Sequence, residues 1–390
     1  MAERTLSRRV ALVGVGESAY YKRGQAPDDT QGLALTAIRA AIDDAGLRPE
    51  EVDGFASYSD DGLDPLKLAV ALGLPELRFT NMVWGGGGGG VCAAVANAAA
   101  AVVAGLAETV VVVRSIAQGG FRYGQALAGL GGPALSGSMA YVVPHGLMSP
   151  AQTVALRTQR FMHEHGIGQD ALAAIALACY EHAQHNPRAV MHGRPLTREA
   201  YDGSRWIVEP FHLYDCCQEN DGSAAVIVTS AERAADLRHV PVLVLGAAQG
   251  TRTGFDLFGH FSDPYATANF ELPARHMYEM AGLGPGDVDV AQVYENFTGA
   301  VLMSMVEHGL VDPEEVDDVL TPENLLWTGG LPLNTSGGNL AECYVHGLEL
   351  VVEAVRQVRG TAVCQVPDAE VALVAGGPAA APVSSVLLGR

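Results

Sequence analysis

Residues 85–90 of this 390-residue chain are six consecutive glycines, and they stand directly before an uncharged, alanine-rich stretch at 91–107. A glycine run that opens a helix presents backbone N–H groups, and the helix dipole there favours negative charge. The run also satisfies the dinucleotide-binding spacing G-x-G-x-x-G. That fingerprint belongs to a first strand–helix unit whose next strand ends in an acid, whereas an earlier unit precedes this run and the following strand ends in Arg114. The glycines therefore predict a site for developing negative charge and no nucleotide cofactor.

Cysteines and histidines show no spacing that builds a site. The six cysteines contain no C-x-x-C pair, and their number is typical of a reducing cytosol rather than of a disulfide framework: Cys92, Cys179, Cys216, Cys217, Cys343 and Cys364. His163 and His165 diverge on a helix, while His182 and His185 share a helix face without a further ligand. We interpret these histidines as solvated helix ends and predict no metal.

The two halves of the chain carry the same order of elements. Ala45-Gly-Leu-Arg-Pro-Glu-Glu-Val-Asp53 recurs as Ala281-Gly-Leu-Gly-Pro-Gly-Asp-Val-Asp289, with six of nine positions identical. Each copy follows a helical pattern and precedes a strand, and a tyrosine, Tyr58 or Tyr294, falls 13 residues after the alanine. Further on, each half has an asparagine, glycines, a long helix and a strand. Ala-Gly-Leu-x-Pro alone is a common helix end, but the shared order indicates duplication.

Helices that alternate with short Val- and Leu-rich strands predict an α/β fold of mostly parallel sheets with helices on both faces. We place the halves at 1–235 and 236–390. The stretch 117–217 has no counterpart in the second half, and its helical patterns at 153–165 and 170–185 indicate a lid or substrate-binding subdomain.

Composition excludes several functions. Apolar residues make up 48% of the chain and charged ones 17%, which predicts a large buried core. The net charge of −20 argues against nucleic-acid binding and against a membrane-surface location. The apolar stretch 91–107 is too short to cross a bilayer, so we expect a buried central helix in a cytoplasmic protein.

Four motifs, in order along the chain, resemble the thiolase superfamily. Residues 215–226 are similar to the Asp-Gly-Ala-Ala signature that closes its first half, and Tyr294-Glu-Asn-Phe297 is similar to its Asn-Glu-Ala-Phe box. Leu333-Asn-Thr-Ser-Gly-Gly338 resembles its Asn-x-x-Gly-Gly element, and Ala375-Gly-Gly377 its terminal glycine loop. The resemblance implies a layered αβαβα sandwich of two duplicated βαβ halves, with an insertion subdomain in the first, and a homodimer.

The departures from this family indicate a changed chemistry. Alignment puts Gly86 where the family has its nucleophilic cysteine and Val374 at its second cysteine. Tyr344 replaces the histidine of a Gly-His-Pro turn, and Tyr294 replaces the Asn or His of the other box. The family's oxyanion hole maps onto the backbone N–H groups of Gly86 and Gly377.

Without a thiol to carry an acyl group, the resemblance leaves the enolate-stabilising half of the chemistry. Two phenols suit a retro-aldol cleavage of a β-hydroxyacyl thioester, since the proton donor is itself an alcohol. We assign Tyr344 as the base on the β-hydroxyl and Tyr294 as the acid that protonates the enolate carbon; the reverse order stays open. The pattern resembles the lipid-transfer-protein-type aldolases of bacterial steroid breakdown.

That closer resemblance implies a 17-hydroxy-3-oxo-steroid-20-carboxyl-CoA substrate, a 17-keto steroid and propionyl-CoA as products, and no cofactor beyond the CoA thioester. It also implies a partner, an OB-fold and zinc-ribbon domain of a steroid enoyl-CoA hydratase. Several aromatic and aliphatic residues of the insertion either line a sterol pocket or form ordinary core, and the sequence leaves both alternatives open: Phe121, Tyr123, Met139, Tyr141, Met148, Phe161 and Met162. Two alternatives remain, an atypical acyltransferase using Cys92 or Cys343 and a non-catalytic lipid- or acyl-CoA-binding protein.

Overall fold

A computed structural model describes residues 5–59, 62–85, 87–119, 137–252 and 261–390. Gly86, Phe121 and Tyr123 lie outside these described residues. The described part contains twelve strands: β1 (Val10–Glu17), β2 (Tyr21–Lys22), β3 (Gly54–Tyr58), β4 (Phe79–Val83), β5 (Thr109–Ile116), β6 (Trp206–Val208), β7 (Phe211–His212), β8 (Asn220–Ser230), β9 (Val242–Gly250), β10 (Val290–Val293), β11 (Val371–Gly376) and β12 (Val383–Gly389).

Fourteen α-helices accompany the strands in the same part of the chain: α1 (Thr30–Ala45), α2 (Pro65–Leu72), α3 (Val91–Val103), α4 (Met139–Val142), α5 (Pro150–His165), α6 (Gln169–His185), α7 (Arg198–Asp202), α8 (Ala231–Ala234), α9 (Glu271–Ala281), α10 (Thr298–Glu307), α11 (Val316–Val319), α12 (Pro322–Leu325), α13 (Gly338–Ala341) and α14 (Leu348–Arg359). Eight of the 13 residues of α3 are buried, which confirms the predicted central helix. Among the helices described, none has the length and apolar character needed to span a membrane.

One large sheet joins the two halves in the strand order β10-β11-β12-β9-β1-β8-β5-β3-β4, with β2 added on β8. Among the described strands of this sheet, only three pairs are parallel: β3–β4, β3–β5 and β10–β11. The prediction of mostly parallel sheets is therefore wrong, and the sheet is mixed. The reason is that the last strand of each half, β8 or β12, returns antiparallel to its neighbours, and the turn between β11 and β12 is too short for the crossover that a parallel pair needs.

The helices lie in three layers, one between the strands of the two halves and one on the outer side of each half. Alternate residues of a strand face opposite sides, so one face of β1, β5, β8, β9, β11 and β12 packs on α3 and α14 in a shared central core. The other face of the first-half strands packs on α1 and α2, and that of the second-half strands packs on α9. This arrangement confirms the αβαβα layering.

The repeat is visible in three dimensions. In each half a helix, α1 or α9, ends on a left-handed glycine, Gly46 or Gly282, and leads through a short 3₁₀ turn into β3 or β10. The long helices α3 and α14 then precede β5 and β11. The two halves differ after their glycines. In the first half α3 follows the glycine run directly, whereas in the second half α13 and a loop at 342–347 lie between Gly337 and α14. The boundary at 235/236 stays a prediction and falls in the link between α8 and β9.

The insertion contains α5 and α6, which begin within three residues of the predicted starts. Phe161 and Met162 belong to a buried cluster shared with α6 and α10, so they are ordinary core. Tyr141 and Met148 are exposed and Met139 is half-buried. The ordinary-core alternative therefore holds for Phe161 and Met162, and a sterol pocket lined by Met139, Tyr141 or Met148 stays a prediction.

Candidate active site

Two tyrosines that are 50 residues apart in sequence meet between the central helices and the glycine run. Tyr294 directly follows β10, and Tyr344 lies in the loop between α13 and α14. The Tyr294 hydroxyl donates to the Tyr344 hydroxyl over 2.8 Å, and the ring centroids are 6.0 Å apart. Each residue is only 2% exposed. The two substitutions noted in separate motifs thus form one buried phenol pair.

Glycines shape the slot that holds the Tyr294 ring. A Cβ on Gly88 would lie 2.2 Å from Cε2 of Tyr294, and one on Gly347 would lie 2.9 Å from Cδ2. Two backbone segments therefore approach the Cδ2–Cε2 edge of the ring closely, and at both positions a side chain would clash with it. The glycine run thus has a packing function besides the N–H groups that its sequence suggested.

The C-terminal glycine loop touches the same run. A Cβ on Gly377 would lie 2.1 Å from the backbone N and Cα of Gly89, and Gly377 has φ +73°. The two backbone segments that the oxyanion assignment requires are therefore in contact. The oxyanion role of Gly377 and Gly86 stays a prediction, and Gly86 is outside the described residues.

A second group of residues, which the sequence analysis missed, anchors the loop that carries Tyr344. The Tyr58 hydroxyl donates to the backbone carbonyl of His346 over 3.0 Å. The Arg114 guanidinium donates to the carbonyl of Tyr58 over 2.7 Å and lies 2.8 Å from Nδ1 of His346. The His346 ring meets the Tyr344 ring edge to face at 5.0 Å. The signal for Tyr58 was available, because it occupies the same repeat position as Tyr294.

His346 is held as a neutral imidazole. Burial, followed by the charge of Arg114, lowers its pKa well below the usual 6.5. Because a guanidinium can only donate, Nδ1 must accept from Arg114, and the ring proton then resides on Nε2. The fixed, uncharged imidazole of His346 thus lies beside Tyr344, with the buried guanidinium of Arg114 behind it.

The cysteines do not supply a nucleophile. Cys92 is fully buried, its Sγ donates to the carbonyl of Val374, and burial raises its pKa to about 12. Burial also raises the pKa of Cys343 well above its ordinary value. A thiol reacts as the thiolate, so neither residue favours the acyltransferase alternative.

A cleft of about 680 Å³ is lined mainly by residues of the insertion and reaches Phe297. Cys217, Gln218 and Phe297 form part of its wall, and Phe297 follows Tyr294 by three residues. Arg194 and Arg205, both exposed, stand at the cleft, as do Tyr180, Met191 and Tyr214. The cleft therefore offers apolar walls and two cations, and its wall reaches the Tyr294–Phe297 motif.

Histidines and acids do not gather into a metal site anywhere in the described residues. The interpretation of all four insertion histidines as solvated helix ends is wrong for His182. It is fully buried, lies 3.1 Å from the carbonyl of Asn334 through Nδ1, and burial lowers its pKa to about 3. Its helix α6 is covered by the second half on that face, which a single-helix pattern does not reveal.

Comparison with known proteins shows the family to which this chain belongs. Residues 258–390 match the thiolase C-terminal domain-like family model. A steroid side-chain-cleaving aldolase from Thermomonospora curvata is 40% identical over 97% of both chains. The chain belongs to the steroid side-chain-cleaving aldolases of the thiolase superfamily.

Two further comparisons agree with this membership. The 17-hydroxy-3-oxo-4-pregnene-20-carboxyl-CoA lyase from Mycobacterium tuberculosis is 38% identical to the present chain. The match covers 98% of the present chain and 100% of the lyase. A solved Ltp2–ChsH2(DUF35) aldolase superposes with a TM-score of 0.91 at 37% identity and covers 99% of each chain. The thiolase-like fold and the aldolase family predicted from four motifs and two tyrosines are confirmed.

Proposed function

We propose that this aldolase cleaves the C17–C20 bond of a 17-hydroxy-3-oxo-4-pregnene-20-carboxyl-CoA to give a 17-keto steroid and propionyl-CoA. The substrate class follows from full-length similarity to a lyase of that name. The observation that carries the chemistry is the buried Tyr294–Tyr344 pair, joined hydroxyl to hydroxyl at 2.8 Å. Proton transfer by positioned phenols needs no covalent intermediate, and the buried thiols offer none.

The pair accounts for each proton of the reaction. One tyrosine acts as its phenolate and removes the 17-hydroxyl proton as the C17–C20 bond breaks, and the bonding electrons form the thioester enolate. The other phenol protonates the enolate carbon, which completes propionyl-CoA. One tyrosine has then gained a proton and the other has lost one, so a transfer across their direct hydrogen bond restores both.

Backbone N–H groups stabilise the enolate oxygen in this proposal. The contact between Gly377 and Gly89 supports a two-sided donor site at the start of α3, with Gly86 and Gly377 as the assigned donors. Donors that are fixed before the reaction cost no reorganisation when charge develops. The retained part of the thiolase fold thus stabilises negative charge while the tyrosines move protons.

We assign the cleft to the CoA portion. Its volume is in the range of ligand sites, and the exposed Arg194 and Arg205 supply the cations that this proposal pairs with phosphates. Changing both to glutamine is expected to raise KM for the CoA thioester about tenfold for each arginine–phosphate pair removed, because a hydrogen bond to a charged group contributes about 1.5–3 kcal/mol. Turnover at saturation should be nearly unchanged.

Steady-state kinetics with Arg198→Gln as the matched control measures this effect. Arg198 is also exposed, but it pairs with Asp170 and Asp202 away from the cleft. An unchanged KM in the double variant would remove the phosphate assignment.

The proposed function is tested by incubating the chain and a DUF35-type partner with the 17-hydroxy steroid CoA thioester. Mass spectrometry should show the 17-ketone and propionyl-CoA in equal amounts. Stoichiometric binding without turnover would support the lipid-binding alternative, and a trapped acyl-enzyme would support the acyltransferase.

We further propose that the chain forms a homodimer through β4. Among the described strands, β4 lies at one end of the sheet, and its neighbourhood exposes apolar side chains: Trp84 is 88% and Val70 is 82% exposed. An open edge with apolar side chains is a pairing surface. Sedimentation should give twice the monomer mass, and Met82→Lys on this edge should give a monomer; a wild-type monomer would contradict the proposal.

A second partner is proposed from the solved relative, a complex of an Ltp2 chain with a ChsH2 DUF35 domain. We propose that this chain likewise binds an OB-fold and zinc-ribbon domain of a steroid enoyl-CoA hydratase. Co-purification with such a domain tests it.

A further inference from the structure

We infer that Glu295 is a positioning residue that holds the segments carrying Tyr294 and Tyr344 in register, so that their hydroxyls stay within hydrogen-bond distance. The inference rests on the proposed function of the phenol pair. Glu295 follows Tyr294 directly, yet its side chain contacts the other segment. It is fully buried and reaches none of the reacting atoms itself.

The carboxyl group of Glu295 fits against the turn that opens α13. A Cβ on Gly338 would lie only 1.6 Å from its Oε1, so only glycine allows this approach. The backbone N–H groups of Asn339 and Leu340 also face the carboxyl and favour its charged form. These residues begin the short helix that leads to Tyr344, so Glu295 connects the two tyrosine-bearing segments.

Other contacts show why this connection matters. Before Tyr294, the Asn334 side chain accepts from the backbone N–H of Val293 over 2.7 Å and donates to its carbonyl over 2.8 Å. After Tyr294, the Glu295 carboxyl provides the corresponding contact. Tyr294 is therefore bracketed on both sides by ties to the 334–340 turn, and the far end of that segment is fixed where the N–H of Tyr344 donates to Asn220.

The surroundings of Glu295 favour its neutral form. Within the described residues, Oε2 has no hydrogen-bond partner. Burial raises the pKa of Glu295 to about 8, against the opposing effect of the N–H groups. The titratable groups that face it are weak acids: the Cys179 thiol of α6 at 3.8 Å, Cys217 before β8 and Glu349 of α14. Above its pKa, ionisation would place a buried negative charge beside these acids, and their repulsion would shift the carboxyl from its position despite the attraction of the α13 N–H groups.

The test compares Glu295→Gln with Glu295→Ala in the full chain with its partner domain, using the 17-hydroxy steroid CoA thioester. Glutamine keeps an oxygen for the N–H groups but cannot ionise. We expect its kcat at pH 7 to stay within threefold of wild type. Wild-type kcat should decline above about pH 8, where Glu295 ionises, and this decline should be absent from the glutamine variant. Alanine removes the tie, and kcat should fall at least tenfold with KM changed less than threefold.

Glu307→Gln is the matched control. Glu307 is a half-buried carboxyl with a raised pKa whose hydrogen bonds, among the described residues, come from the turn at 267–270, and its variant should keep the wild-type pH profile. Wild-type kcat in Glu295→Ala, or an alkaline decline that persists in Glu295→Gln, would overturn the inference. If the alanine variant does not fold, the glutamine pH profile decides alone. Failure of the phenol mechanism is separate, because it would appear as activity in the tyrosine variants.

Discussion

Replacing Tyr344 or Tyr294 with phenylalanine is expected to lower retro-aldol turnover about 10²–10⁴-fold each, the usual contribution of a positioned acid or base. Each change removes one oxygen and keeps the ring that fills the slot. The partner hydroxyl loses a buried hydrogen bond, which should reduce the free energy of unfolding by about 1–3 kcal/mol. Stopped assays of ketone formation and urea unfolding separate the two effects.

Tyr278→Phe is the control for the folding cost. The Tyr278 hydroxyl also donates one hydrogen bond, to the carbonyl of His308, but on the outer helix α9. Its variant should keep turnover. Because the proposed mechanism uses the two phenols as a unit, the double variant should be little slower than the slower single one. Near-normal rates in both single variants would end the phenol mechanism.

Isotope exchange distinguishes the acid from the base. The phenol that protonates the enolate carbon also catalyses the reverse step, so propionyl-CoA should exchange its α-hydrogen in D₂O without the ketone. With Tyr294 as the acid, exchange is lost in Tyr294→Phe and retained in Tyr344→Phe. The opposite result would reverse the two assignments.

Changing Gly88 to alanine is expected to lower turnover about as much as the phenylalanine variants of the two tyrosines, although it removes no functional group. The added Cβ would lie 2.2 Å from the Tyr294 ring, and the backbone of Gly347 also approaches the Cδ2–Cε2 edge of that ring. The ring must therefore shift from its position, which disturbs the 2.8 Å hydrogen bond to Tyr344. Overpacking of this kind usually costs about 1–3 kcal/mol of stability.

Gly250→Ala provides the comparison, since nothing lies within 4 Å of a Cβ at that position and its φ is not in the left-handed region. Turnover and unfolding should both stay close to wild type in this control. If Gly88→Ala turned over normally while folded, the slot would not be what positions Tyr294.

The sequence determined the architecture because its signals are local and repeated. The Ala-Gly-Leu-x-Pro caps at 45 and 281 fix helix ends by glycine conformation and proline geometry, and both helices end where they predict. The order of motifs then identified the family, and alignment to it gave Tyr294 and Tyr344. Parallel pairing was predicted too widely, because strand patterns do not encode which neighbour a strand returns to.

Only the tertiary structure decided how the centre is assembled. The 2.8 Å contact between Tyr294 and Tyr344, the Gly88–Gly347 slot and the anchoring of His346 by Arg114 all join residues far apart in the chain. In the sequence Glu295 is one residue of the Tyr294–Phe297 motif, and only the structure shows that its carboxyl lies against Gly338. Periodicity and capping specify conformation over a few residues, whereas these distances depend on how the two halves pack across the central helices.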